Sequence, residues 1–120
     1  MELSITTLTR RKNGSIGRRE EKKTCEALRI GRDTKDELFL PDHRIPYNLA
    51  TLHPGEHGFF IEAEGDNDLR LNEQIVQKAP VRIDDVIGIG PYELKLVDPE
   101  DGIDLAVTVE LIHPVGDDVE

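Results

Sequence analysis

The chain has 120 residues, 37% of them hydrophobic, and a formal net charge of −10. That size suits one domain with a modest core. The acidic balance argues against general binding to nucleic acid or anionic membranes, and no apolar run approaches the ~20 residues of a membrane-spanning helix.

In chain order, Leu3 and Ile5 open a first strand. Residues 10–24 are expected to form a basic loop: Arg10, Arg11, Lys12, Arg18, Arg19, Lys22 and Lys23 stand against only Glu20 and Glu21. A solvated loop is the plain reading, and a contact for an acidic partner or lipid head groups the sharper one. No aromatic residue interleaves the run, which argues against a single-strand stacking platform. Short period-two alternations then follow at Leu28/Ile30, Leu38/Leu40, Phe59/Ile61, Leu69/Leu71, Val81/Ile83, Ile87/Ile89 and Leu94/Leu96. Asn13-Gly14, Pro54-Gly55, Gly65-Asp66-Asn67, Gly90-Pro91 and Asp101-Gly102 supply turns. The clearest strand is the last, where Ile103, Leu105, Val107, Val109 and Leu111 alternate with polar or small residues. No segment sustains a helical period, so the chain is expected to be all-β, a sandwich or a barrel. That domain is expected to span residues 1–112. Residues 113–120 read as a polar tail or the start of a linker, and the chain as the N-terminal domain of a larger protein.

The stretch from Leu28 to Val97 resembles a forkhead-associated (FHA) domain in the spacing of its motifs. Gly31-Arg32 is similar to the family's Gly-Arg pair after the second strand. Ile45-Pro46-Tyr47-Asn48-Leu49-Ala50 falls where the family usually has Val-Ser-Arg-x-His-Ala. Gly65-Asp66-Asn67-Asp68-Leu69-Arg70-Leu71-Asn72 resembles Ser-Thr-Asn-Gly-Thr-x-Val-Asn, and Asp85 to Gly90 resembles Gly-Asp-x-Ile-x-Ile-Gly, with Asp84 in place of its first glycine. The resemblance implies an FHA-like β-sandwich of two mostly antiparallel sheets with about eleven short strands. It also implies loops at one end that hold a phosphothreonine peptide.

The departures bear on that chemistry. A phosphate dianion favours a forked cation plus neutral donors. Arg32 supplies a fork, but Pro46 has neither a side-chain donor nor an N–H. Leu49 packs where the family's bracing histidine forms hydrogen bonds, and Asp68 places a negative charge where glycine is usual. The candidate phosphopeptide- or partner-binding residues are therefore Arg32, Arg44, Pro46, Tyr47, Asn48, Asn67 and Asp68, with Gly31, Leu49 and Asn72 in structural roles. Each has a plainer reading. Arg32 pairs with Asp33, Asp36 or Asp66; Asn67 is a turn residue in the left-handed region; Tyr47 rests on the sandwich.

Other chemistry finds little support. His53 and His57 flank Pro54-Gly55, which forbids a helix, and no third ligand accompanies them, so no metal is expected. No nucleophile motif or glycine-rich phosphate cradle appears. The single cysteine, Cys25, excludes an internal disulfide and suits a reducing compartment; with no leader pattern after Met1, the expected location is the cytoplasm. The sequence therefore points to a non-catalytic protein-interaction module of FHA type with a degenerate phosphothreonine pocket and no cofactor. The alternative is a working phosphothreonine-peptide binder that uses Arg32 and a rearranged loop set; a small enzyme or metal protein ranks last. The expected partner is a protein or peptide, not nucleic acid. The resemblance also allows a place in a larger, membrane-associated assembly.

Overall fold

Most of the period-two patterning becomes strand, although Leu40, Ile83 and Ile103 fall just outside the strands and Ile83 is exposed. The computed structural model describes residues 1–11, 13–56, 58–67 and 69–112. In chain order the strands are β1 (Glu2–Arg10), β2 (Ile16–Thr24), β3 (Leu28–Gly31), β4 (Leu38–Phe39), β5 (Ala50–Gly55), β6 (Gly58–Ala63), β7 (Leu69–Leu71), β8 (Gln74–Val76), β9 (Lys78–Val81), β10 (Val86–Ile89), β11 (Tyr92–Val97) and β12 (Leu105–Leu111). They form two sheets, ordered β2-β1-β12-β11-β10-β7-β8 and β4-β3-β5-β6-β9. All pairings are antiparallel except β1 with β12 and β3 with β4.

The core lies between the sheets. Leu3 and Ile5 face Leu105 and Val107 in register, and these alternate residues, with Val109, are buried. Leu28, Ile30, Leu52 and Ile61 answer them from the smaller sheet, and Leu69, Ile87, Ile89, Leu94 and Leu96 extend the cluster. Each fully buried Leu or Ile contributes about 1.5–3 kcal/mol. The alternation at 103–111 thus marks a central strand, with Ile103 just ahead of it.

Residues 10–24 are not a loop. Ile16–Thr24 pair along the whole of β1 as a marginal strand, and among the described residues only Arg11 and 13–15 lie between the two strands. Asn13-Gly14 makes the turn, with Gly14 at φ 87 and the Ser15 N–H donating to Asn13 Oδ1 over 3.0 Å. Its far end is tied as well: the Met1 ammonium donates to the Cys25 carbonyl over 2.8 Å, and Cys25 N–H to the Met1 carbonyl over 3.0 Å. A strand at a sheet margin hydrogen-bonds on one side and needs no apolar face. Its charged sequence therefore carries no hydrophobic period to read.

Two hairpin details carry strain. Asn72 (φ 50) and Glu73 (φ 74) form the two-residue connection from β7 to β8, with Leu71 facing Gln74 across it. Such connections favour Asn followed by Gly, and Glu73 has the side chain that this backbone disfavours. Glu73→Gly is expected to stabilise the protein by about 0.5–1 kcal/mol and raise Tm by ~2–4 °C, as read by thermal unfolding. An unchanged or lower Tm would mean that Glu73 makes a compensating contact. Asp84 is similarly left-handed at φ 73, which accounts for the glycine usual at that position in the resemblance.

Candidate functional site

Three loops gather at one end of the sandwich: 32–37 after β3, 40–49 before β5, and 64–67 after β6. Gly31 sets their spacing. A Cβ built there would lie 2.3 Å from the Tyr47 carbonyl oxygen and 2.6 Å from Asp36 Oδ2, so only glycine lets the second loop lie against β3. That loop is then fixed by main-chain bonds. Arg32 N–H donates to the Pro46 carbonyl over 3.0 Å, and Leu49 N–H to the Ile30 carbonyl over 3.1 Å.

The Arg32 side chain continues the lock. Its Nε–H donates to the Ile45 carbonyl over 2.9 Å, and Cζ sits 4.5 Å from the centre of the Tyr47 ring. A cation over an aromatic face is attracted by the ring quadrupole. Asp33, Asp36 and Asp66 do not pair with it, and among the described residues the two terminal nitrogens of Arg32 have no partner. Tyr47 itself is 60% exposed. A fork of four N–H bonds is thus held in place beside an exposed phenol.

Arg44 is used differently. Its Nε and Nη2 donate to Asp42 Oδ1 and Oδ2 over 2.9 and 2.7 Å, and its backbone N–H also donates to Oδ1 over 2.9 Å. The hydrogen-bonded Arg44 holds the Asp42 carboxyl down at about 2. This pair closes the turn in which Ile45 N–H donates to the Asp42 carbonyl over 2.9 Å. Sequence reasoning missed the lock, although an Asp two residues before an Arg in a turn-rich segment is its visible trace. It named Asp36 only as a partner for Arg32 and missed its burial, with Oδ2 lacking a partner among the described residues. Burial pushes the Asp36 carboxyl above its ordinary value.

Asn67 ties the second loop to the third. Its Nδ2 donates to the Asn48 carbonyl over 3.1 Å and to the Glu64 carbonyl over 2.8 Å, using both amide hydrogens. The left-handed residue of that turn is Gly65 (φ 59) rather than Asn67. Leu49 is buried, and its carbonyl accepts from Glu64 N–H over 2.9 Å, so its main chain performs the bracing that its side chain cannot. Pro46 and Asn48 are exposed between these anchors.

Asn72 stands apart, at the opposite end of β7. Its Nδ2 donates to Asp85 Oδ1 over 3.0 Å, and its Oδ1 accepts from Val86 N–H over 2.9 Å. The bond from Asn72 holds the Asp85 carboxyl below its ordinary value. It pins the β7–β8 turn to the start of β10, a structural task. Asp68 and His57 lie outside the described residues, as do residues 113–120. His53 stacks on Phe60 at 4.9 Å on the outer side of the smaller sheet. Among the described residues no group of three His, Cys, Asp or Glu side chains is placed to hold a metal, and no helix is long and apolar enough to cross a membrane.

No protein-family model matches the sequence, and no curated protein matches it. Solved structures do. The chain is similar to the FHA-2 domain of the ABC transporter Rv1747 of Mycobacterium tuberculosis, at 29% identity over 71% of this chain and 76% of that one, with a TM-score of 0.57. It is similar at 18% identity and a TM-score of 0.57 to M. tuberculosis EmbR, solved in complex with a low-affinity phosphopeptide, over 73% of this chain and 23% of that one. A structure from work on phosphothreonine-dependent FHA domain interactions aligns over 93% of this chain and 97% of its own, at 18% identity and a TM-score of 0.57.

Proposed function

This chain has the fold of a forkhead-associated domain, and from that premise we propose that it is a non-catalytic interaction module that takes a phosphorylated peptide at the loop end around Arg32. The observation that carries the reading is the state of Arg32. Its guanidinium is held by the Ile45 carbonyl and the Tyr47 ring, and its terminal nitrogens face no carboxylate among the described residues. A preorganised arginine fork suits a phosphate monoester. Tyr47 and Asn48 bring further donors, and both are exposed. Two of the solved structures similar to this chain come from studies of phosphopeptide or phosphothreonine binding, which supports the same ligand class here.

The site is a reduced one. With no donor at Pro46 and with Arg44 engaged by Asp42, Arg32 carries most of the charge recognition. Losing one hydrogen bond to a charged group costs about 1.5–3 kcal/mol, so weak affinity is expected. A cytoplasmic location belongs to the same proposal; the single free cysteine, Cys25, is compatible with a reducing compartment.

The test is an NMR titration of labelled protein with a degenerate phosphothreonine peptide pool and its unphosphorylated twin. The phosphorylated pool is expected to bind at least ~10-fold more tightly and to shift Arg32, Tyr47, Asn48 and Asn67. Arg32→Ala is expected to abolish that preference while leaving the spectrum folded. Equal binding of both pools would refute the phosphate reading. It would favour a second one, which rests on the 60% exposure of Tyr47: docking of an unmodified peptide through that ring.

A further inference from the structure

Four strands lie at sheet margins: β2 and β8 in the larger sheet, β4 and β9 in the smaller. A marginal strand presents unpaired N–H and C=O groups, and proteins keep such strands short or interrupted. β8 has three residues, β4 has two, and β9 has four including Pro80. β2 has nine, without proline, and pairs with β1 in unbroken register.

The charges of β2 fall in an ordered pattern: Arg18, Arg19, Glu20, Glu21, Lys22, Lys23. Arg18, Glu20 and Lys22 sit opposite Leu8, Thr6 and Ser4, on the outward side of the sheet. Arg19, Glu21 and Lys23 sit opposite Thr7, Ile5 and Leu3, on the side of the core. The second set is engaged within the chain. Arg19 and Lys23 lie 3.4 and 3.9 Å from Glu21, and Lys23 Nζ donates to the Glu37 carbonyl over 3.0 Å. The first set is exposed and without an ion-pair partner among the described residues.

We propose that β2 pairs antiparallel with β2 of a second copy of this chain across a two-fold axis, with Arg19 facing Arg19 at the axis. The two seven-stranded sheets then join into one. A two-fold axis normal to the sheet requires facing residues to share a side, which leaves few registers. With Arg19 at the axis, Arg18 of each copy faces Glu20 of the other, Gly17 faces Glu21, and exposed Ile16 lies against the stem of Lys22. Each of the two facing Arg19 side chains lies 3.4 Å from its own Glu21, which offsets part of their repulsion. The neighbouring registers fail on charge. Placing Glu20 at the axis opposes Glu20 to Glu20 and Arg18 to Lys22. Placing Arg18 there opposes it to itself with no facing pair of opposite charges to compensate, and pairs only Ile16 to Glu20. Placing Glu21 there opposes Glu21 to Glu21 and Arg19 to Lys23. Of the registers with no like-charge contact beyond the axis, the one centred on Arg19 pairs the longest stretch of β2, Ile16 to Lys22, and sets Arg18 against Glu20 twice.

Sedimentation velocity over about 10 µM to about 1 mM protein tests this, a range suited to a small interface. The wild-type chain is expected to move toward dimer with concentration, and less so at high salt. Arg18→Glu and Glu20→Arg are each expected to weaken self-association about tenfold or more, because each puts like charges face to face. An equimolar mixture of the two variants is expected to associate again, since each introduced charge then faces its opposite. Both residues are exposed, so folding is expected to be unchanged, as circular dichroism will show. A chain that stays monomeric, self-association that neither variant moves, or a mixture that does not recover would each overturn the proposal.

Discussion

Replacing Gly31 by alanine is expected to cost about 3 kcal/mol and to dismantle the loop end of the sandwich. The methyl group would stand 2.3 Å from the Tyr47 carbonyl oxygen and 2.6 Å from Asp36 Oδ2. The nearer atom is backbone, so no side-chain rotation relieves the clash. The 45–49 segment must lift from β3, and the bonds from Arg32 N–H to Pro46, from Arg32 Nε–H to Ile45 and from Leu49 N–H to Ile30 go with it. Each is worth about 1 kcal/mol net, which gives the total. The loss is expected in chemical denaturation as a lower midpoint with an unchanged slope. The Tyr47 ring resonances should move at the same time, because Arg32 no longer sits over the ring. Wild-type stability in Gly31→Ala would mean that the second loop yields without cost.

The second large effect is at Asp42. Asp42→Ala removes three hydrogen bonds from Arg44 and leaves a turn that nothing else closes in the same way. The expected loss is about 2 kcal/mol: removal of one partner of a fully buried ion pair costs more, but the Arg44 side chain is 35% exposed and reaches water once released. The pair also sets a pH dependence. The folded Asp42 carboxyl is held at about 2, below the ~3.9 of an unfolded aspartate. Its contribution is therefore complete above ~3.9 and is lost as pH falls toward 2. Asp85 and Glu37, also lowered by their hydrogen bonds, act in the same direction, whereas buried Asp36, which is raised, favours the folded state as pH falls. Subtracting the Asp42→Asn stability curve from the wild-type curve isolates the pair. The difference should shrink between about pH 4 and pH 2. A difference independent of pH would remove the ion pair as the source of stability.

Much of the fold was legible because burial imposes a period of two. The alternations at Leu28/Ile30, Ile87/Ile89, Leu94/Leu96 and Leu105/Val107/Val109 all face the core. β2 escaped because a marginal strand of Arg, Glu and Lys has no apolar side to reveal it. At the site, motif spacing brought Gly31-Arg32, 45–50 and Asn67 to one end, where they meet. It could not rank the arginines. Whether Arg32 or Arg44 is consumed by a carboxylate depends on where Asp42 points in a tight turn, which sequence distance does not encode. Nor could it separate Asn72 from Asn67. Only five positions divide them, but three of the intervening residues form β7, which carries them to opposite ends of a strand.

The parallel pairing of β1 with β12 has a consequence for how the protein is made. Every partner of the smaller sheet lies between residues 28 and 81, so that layer is complete well before the chain is. The larger sheet cannot close until β12 emerges, because β1 and β2 hydrogen-bond to the rest of it only through that strand. At a synthesis rate of ~5–20 residues per second, the first hairpin waits several seconds on the ribosome for the last strand. During that interval Leu3 and Ile5 lack Leu105 and Val107, their neighbours on β12. A pairing this distant in sequence also predicts slow refolding of the finished chain. The hairpin that is synthesised first is the element that docks last.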